Sequence, residues 1–153
     1  MVKNNDNMIN IVLPDSEGNI VDISKLTNKY IIVYFYSKDN TSGCTNQALE
    51  YCKYYDEFKS LDAYIIGISK DSVESHKKFK NKYDLPITLL SDVDKEVINK
   101  YDVFKEKNMY GKKVMGVVRS SFIISGGKFI KVNYNVKGLL DAKANLEFLK
   151  SLS

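Results

Sequence analysis

The residues Tyr30-Ile31-Ile32-Val33-Tyr34-Phe35-Tyr36 form an unbroken run of β-branched and aromatic side chains. A strand with one face in water alternates apolar and polar residues, so a run like this demands cover on both faces. It reads as the central strand of a sheet held between two layers. A polar loop, 37–43, follows it, and then a helical pattern from about Cys44 to Ser60, with Ala48, Cys52, Tyr55 and Phe58 on one stripe. Strand, loop and helix in succession make a βα unit, and the chain continues in that manner.

Ala63 to Ser69 reads as a second buried strand. Asp71 or Ser72 can cap a helix running to about Tyr83. Leu85 to Leu90 breaks that helix and supplies a short strand, and Asp92 opens another helix to about Tyr101. Val103 to Val114 is mostly polar and reads as a loop or insertion. Val117 to Ile124, the turn Ser125-Gly126-Gly127 and Lys128 to Tyr134 form a β-hairpin, because paired glycines supply the positive φ of a tight turn. Leu139 to Leu152 closes the chain as an amphipathic helix. At the other end, Asn10 to Leu13 and Ile20 to Ile23 flank turn residues and make a hairpin extension, followed by a short helical turn over 24–28. The order predicts one α/β domain over 1–153: a mixed central sheet with helices on both faces, the layout of a thioredoxin-like fold.

At 153 residues the chain can bury a real core. It has no apolar run near the ~18 residues of a membrane helix, and its N-terminus lacks the pattern of a signal peptide. A cytoplasmic protein is expected. The net charge of +4 is spread over scattered lysines. The densest basic stretch, His76 to Lys82, reads as a solvated helix face with Phe79 and Tyr83 turned inward, and not as a nucleic-acid contact. His76, the only histidine, is expected to be exposed there. Cys44 and Cys52 are the only cysteines and do not form a CxxC pair, so a zinc ribbon and a thioredoxin-type dithiol are excluded.

The chemistry concentrates in Tyr34-Phe35-Tyr36-Ser37-Lys38-Asp39-Asn40-Thr41-Ser42-Gly43-Cys44-Thr45. Cys44 falls just after a buried strand, at a helix start, where free N–H groups and the positive end of the helix dipole favour a thiolate. Thr41, three residues earlier, can bring a hydroxyl to the sulfur, and a hydroxyl can both donate to a thiolate and accept from another O–H group. These residues describe an activated cysteine at a strand-to-helix corner.

This stretch resembles the peroxiredoxin signature, and Tyr-x-Lys-Asp-Asn-Thr-x-Gly-Cys-Thr is most similar to the bacterioferritin-comigratory, PrxQ-like subfamily. The resemblance extends over Leu13-Pro14-Asp15 with Gly18, Val33 to Tyr36, Gly67-Ile68-Ser69 with Asp71, Leu90-Ser91-Asp92, and Arg119 before Ser120 to Ile124. It implies a thioredoxin-like peroxidase that takes hydrogen peroxide or organic hydroperoxides and is recycled by thioredoxin or another thiol. It implies no metal, haem or flavin, and a monomer or weak homodimer. It also implies that Arg119, the chain's one arginine, reaches Cys44, where a planar donor fork suits a thiolate and a peroxide oxygen.

Four positions depart from the subfamily pattern. Ser37 and Ser42 stand where it has prolines, which implies a more mobile loop. Gln47 replaces a glutamate, and Leu49 stands where a resolving cysteine is frequent. Gly43, Ser37 and Gln47 remain candidate supporting residues. Cys52 is open to two readings. On an intact helix it lies ~12 Å along the axis from Cys44, too far for a disulfide unless the helix opens. It is either the resolving cysteine or part of the apolar stripe. The departures also leave open a thioredoxin-like binding or scaffold protein with weak or lost peroxidase activity.

Overall fold

The computed structural model describes residues 1–152. The Tyr30–Phe35 run is β3, the middle strand of a five-stranded sheet. On one side of it lie β4 (Ala63–Ser69) and β5 (Thr88–Ser91), both parallel. On the other lie β8 (Ser120–Ser125) and β9 (Lys128–Asn133), both antiparallel to their neighbours. The sheet is therefore mixed, in the order β5-β4-β3-β8-β9.

Alternation along β3 divides the core in two. Tyr30, Ile32 and Tyr34 pack on one face with Ala48 and Tyr51 of α1 (Ser42–Lys53), Phe58 of α2 (Tyr55–Ser60), Phe79 of α3 (Val73–Tyr83), and Leu146 and Leu149 of α5 (Asp141–Ser151). Ile31, Val33 and Phe35 pack on the other with Val97 and Ile98 of α4 (Glu96–Lys100), Tyr101 and Phe122. Helices thus cover both faces of a thioredoxin-like sheet. β1 (Val12–Pro14) and β2 (Ile20–Asp22) form the N-terminal hairpin, and Gly126 and Gly127 turn β8 into β9 with φ of 60° and 77°. No helix among the described residues is long and apolar enough to cross a membrane.

Three elements differ from the sequence reading. The helix expected over 44–60 breaks at Tyr54, so Cys52 lies in the last turn of α1. The helix expected from Asp92 begins only at Glu96, and the Asp92 carboxylate instead accepts from the Ile98 N–H at 2.7 Å. The segment read as a loop is a hairpin, β6 (Phe104–Met109) with β7 (Lys112–Val117), turned by Tyr110 and Gly111, both at positive φ. It stands off the main sheet as its own two-stranded ribbon, so its strands need no alternating apolar face.

Candidate active site

β3 delivers the chain into the loop 37–41, and α1 begins at Ser42 with Thr41 as its N-cap residue. No side chain caps this end, so the first-turn amides keep their donors. Cys44, in that first turn, is 2% exposed. Its Sγ lies 3.4 Å from Ser37 Oγ. Burial pushes the Cys44 thiol up; hydrogen bonds from the Ser37 and Thr41 hydroxyls and from the backbone at Lys38 and Ser37 outweigh it, and the thiol sits below its ordinary range. Thr41 Oγ1 also donates to Lys38 O at 2.9 Å, so its one proton is divided between that carbonyl and the sulfur, and its lone pairs remain acceptors.

Arg119 precedes β8 and its guanidinium lies over Gly43. A Cβ on Gly43 would clash with Arg119 Nη1. Only glycine allows this approach. The structure thus brings Ser37, Thr41, Gly43, Cys44 and Arg119 into one corner.

Gln47 does not face the sulfur. It is fully buried, and its Nε2 donates to Asp141 Oδ2 at 3.1 Å. The same carboxylate accepts from Tyr51 OH at 2.6 Å and Ser121 Oγ at 2.7 Å, tying α1, β8 and α5 together. A glutamate at 47 would set two buried carboxylates against each other. Gln47→Glu is therefore expected to destabilise the fold by on the order of 1–3 kcal/mol at neutral pH. The pair would hold a proton at a raised pKa, so stability returns as pH falls below that value and is lost as pH rises through it. Melting curves against pH check this; a variant as stable as the parent throughout would break the argument.

His76 corrects the expectation of an exposed residue. It is 0% exposed and belongs to the loop's anchorage. Its Nε2 donates to the Leu90 carbonyl at 2.9 Å, and its Nδ1 lies in hydrogen-bond contact with Asp39 Oδ2 at 2.7 Å. Asp39 also accepts from Tyr36 OH at 2.5 Å and Ser75 Oγ at 2.8 Å, while its own N–H donates to Asp71 Oδ2 at 2.9 Å. Asn40 accepts from Lys82 and Tyr83 on α3. The loop that lacks both prolines is thus bolted to α3 and the ends of β4 and β5. Asp39, Asp71 and His76 lie close enough to ligate a metal, but each is engaged in these bonds. Periodicity could not reveal this, since a buried histidine in a lysine-rich helix looks like its solvated neighbours. Ser72, not Asp71, caps α3.

Cys52 is half-buried against the Tyr34 side of the core. Burial first, and the Asp84 charge second, push its thiol up to about 11. Leu49 is 40% exposed and lies outside the core.

Residues 5–133 match the AhpC/TSA family. Peroxiredoxin Bcp of Bacillus subtilis is 42% identical over 142 residues, which cover 92% of this chain and 90% of that one. A cysteine-to-serine variant of Xylella fastidiosa PrxQ superposes with a TM-score of 0.93 at 32% identity, covering 99% and 98% of the two chains. The Xanthomonas campestris bacterioferritin comigratory protein, described for its alkyl peroxide reduction activity, superposes with a TM-score of 0.86 at 37% identity, covering 93% and 91%. With this sheet, this corner and these relatives, the chain belongs to the AhpC/TSA family, among its Bcp and PrxQ peroxiredoxins.

Proposed function

We propose that this chain is a thiol-dependent peroxidase in which Cys44 is the peroxidatic residue. The observation that carries the reading is a buried thiol held below its ordinary pKa by neighbouring hydroxyls and amides, with a guanidinium against the preceding glycine. The Cys44 thiolate attacks the terminal oxygen of a hydroperoxide. The S–O bond forms as the O–O bond breaks, the sulfur is oxidised by two electrons to a sulfenic acid that keeps the peroxide's proton, and the departing alkoxide or hydroxide takes a proton from solvent to leave as alcohol or water. Arg119 and the first-turn amides stabilise the charge that develops on the leaving oxygen, and the Thr41 hydroxyl accepts a hydrogen bond from the peroxide O–H. Two thiols then reduce the sulfenic acid to the starting thiol and water, and are themselves oxidised to a disulfide. Addition of one equivalent of peroxide followed by mass spectrometry tests this: Cys44 gains one oxygen or passes directly into a disulfide. An unmodified Cys44 with unconsumed peroxide would favour the scaffold reading.

Cys52 serves as the resolving thiol in this scheme. In the folded state it stays protonated at neutral pH, since its pKa stands at about 11. Opening α1 returns it towards the ordinary value of 9.0 and raises its thiolate fraction by ~100-fold. The opening must release Ala48 and Tyr51 from the core, but not Leu49. The break at Tyr54 places a helix end beside Cys52, and helix ends open more readily than helix middles. Non-reducing peptide mapping after peroxide treatment is expected to yield a Cys44–Cys52 disulfide. Recovery of oxidised Cys44 with Cys52 as a free thiol would make this a one-cysteine enzyme.

A further inference from the structure

A cleft of about 490 Å³ opens between the β6–β7 hairpin and the segment joining β9 to α5, lined among others by Lys105, Lys107, Val118, Arg119, Tyr134 and Val136. Arg119 belongs both to this cleft and to the Cys44 corner. Lys107 reaches from β6 across Gly116, where a Cβ would meet its Cδ at 3.1 Å, and donates to the Val117 carbonyl at 2.7 Å. Val117 lies two residues before Arg119, so at most ~7 Å of extended chain separates that anchor from the arginine's backbone.

The charges around the cleft do not balance. Lys105 pairs with Asp102 at 3.2 Å, and Glu106, also in the wall, pairs with Lys113 at 3.7 Å. Lys107 and Arg119 form no salt bridge among the described residues. Lys107 is half-buried; burial and then the charge of Arg119 disfavour its ammonium, and the Cys44 thiolate favours it. One thiolate offsets one of the two cations and leaves one to be met by an anion from outside. Val118, Val136 and Tyr134 provide carbon surface beside them.

We propose that this cleft is a substrate subsite in which Lys107, beside Arg119, receives the carboxylate of an organic hydroperoxide carrying its acid a few carbons from the peroxide. Lys107 is then a specificity residue. The inference rests on the peroxidase reading.

The test compares rates of Cys44 oxidation by three peroxides: a tert-alkyl hydroperoxide with a carboxylate on a short alkyl tail, its methyl ester, and hydrogen peroxide. At low ionic strength the parent protein is expected to react about tenfold faster with the acid than with the ester, or ~1.4 kcal/mol, and the preference shrinks in high salt. Lys107→Gln brings the acid-to-ester ratio towards one, and Lys112→Gln, exposed on the same hairpin and outside the cleft lining, keeps it. Equal rates for acid and ester in the parent, a preference that survives Lys107→Gln, or a uniform slowing of all three peroxides by that substitution would each overturn the subsite. If hydrogen peroxide also leaves Cys44 unmodified, the peroxidase reading itself fails and the subsite falls with it.

Discussion

Cys44→Ser is expected to end peroxide turnover while the protein still folds. A serine hydroxyl remains protonated near neutral pH and cannot become a sulfenic acid, so the variant has neither the nucleophile nor the electron pair that the reaction consumes. The second cysteine offers no relief. With a pKa of about 11, Cys52 is a thiolate in roughly one molecule in 10⁴ at pH 7. The substitution keeps the size of the side chain nearly constant in a site that is 2% exposed, and the Ser37 hydroxyl can bond oxygen as readily as sulfur. Peroxide consumption with excess thiol measures the first half of the claim and thermal melting the second. Residual turnover above about a tenth of the parent rate would place the chemistry elsewhere. The two proteins should also separate with pH. Cys44 has a depressed pKa in the fold, so its thiolate contributes stability that is present above the unfolded value and lost as pH falls through the folded one. The parent's melting temperature should therefore gain on the variant's as pH rises.

The second large effect is at Arg119. Arg119→Lys keeps the charge and loses the planar fork, and the rate of Cys44 oxidation is expected to fall by about tenfold or more, ~1.4 kcal/mol of transition-state stabilisation. A rate within twofold of the parent would remove Arg119 from the reaction. Gly43→Ala is a sharper version of the same test, because it leaves the arginine intact and moves it. The new Cβ would clash with Arg119 Nη1, and the flexible guanidinium must swing away. Gly43 is helical, where alanine is preferred by up to ~1 kcal/mol. The expected product is a protein no less stable than its parent that reacts at least tenfold more slowly. Loss of both stability and rate would point to a packing role for Gly43, and loss of neither would show that Arg119 works equally well from another position.

The sheet was legible because β3 leaves no polar position along its length, and the Gly126-Gly127 turn because its φ values admit little else. Cys44 was legible because strand, loop and helix follow one another in the chain. The β6–β7 hairpin was not, since a ribbon that buries little shows no period of two; the Tyr110-Gly111 turn was its one local sign. The anchorage of the loop was hidden for another reason. Asp39 and His76 lie 37 positions apart, and a hydrogen bond across that separation leaves no mark on the local pattern of either. Gln47 was legible as a departure from a family pattern but not as the partner of Asp141, 94 positions away. Lys107 was lost among the other lysines, because what distinguishes it is its reach across Gly116 to the Val117 carbonyl, into the cleft that holds Arg119.

The way the 37–41 loop is fastened also bears on how the protein responds to heat. A proline ring restrains its backbone covalently, and to the same extent at every temperature. Here the restraint is a set of hydrogen bonds that Asp39 and Asn40 make with side chains of α3, together with one that the Asp39 N–H donates to Asp71. Bonds of this kind open one region at a time, well before the whole molecule does. On warming, the Cys44 corner should come loose together with α3 while the central strands remain protected, and reactivity towards peroxide should fade at temperatures where the far-ultraviolet circular dichroism is still that of the folded protein.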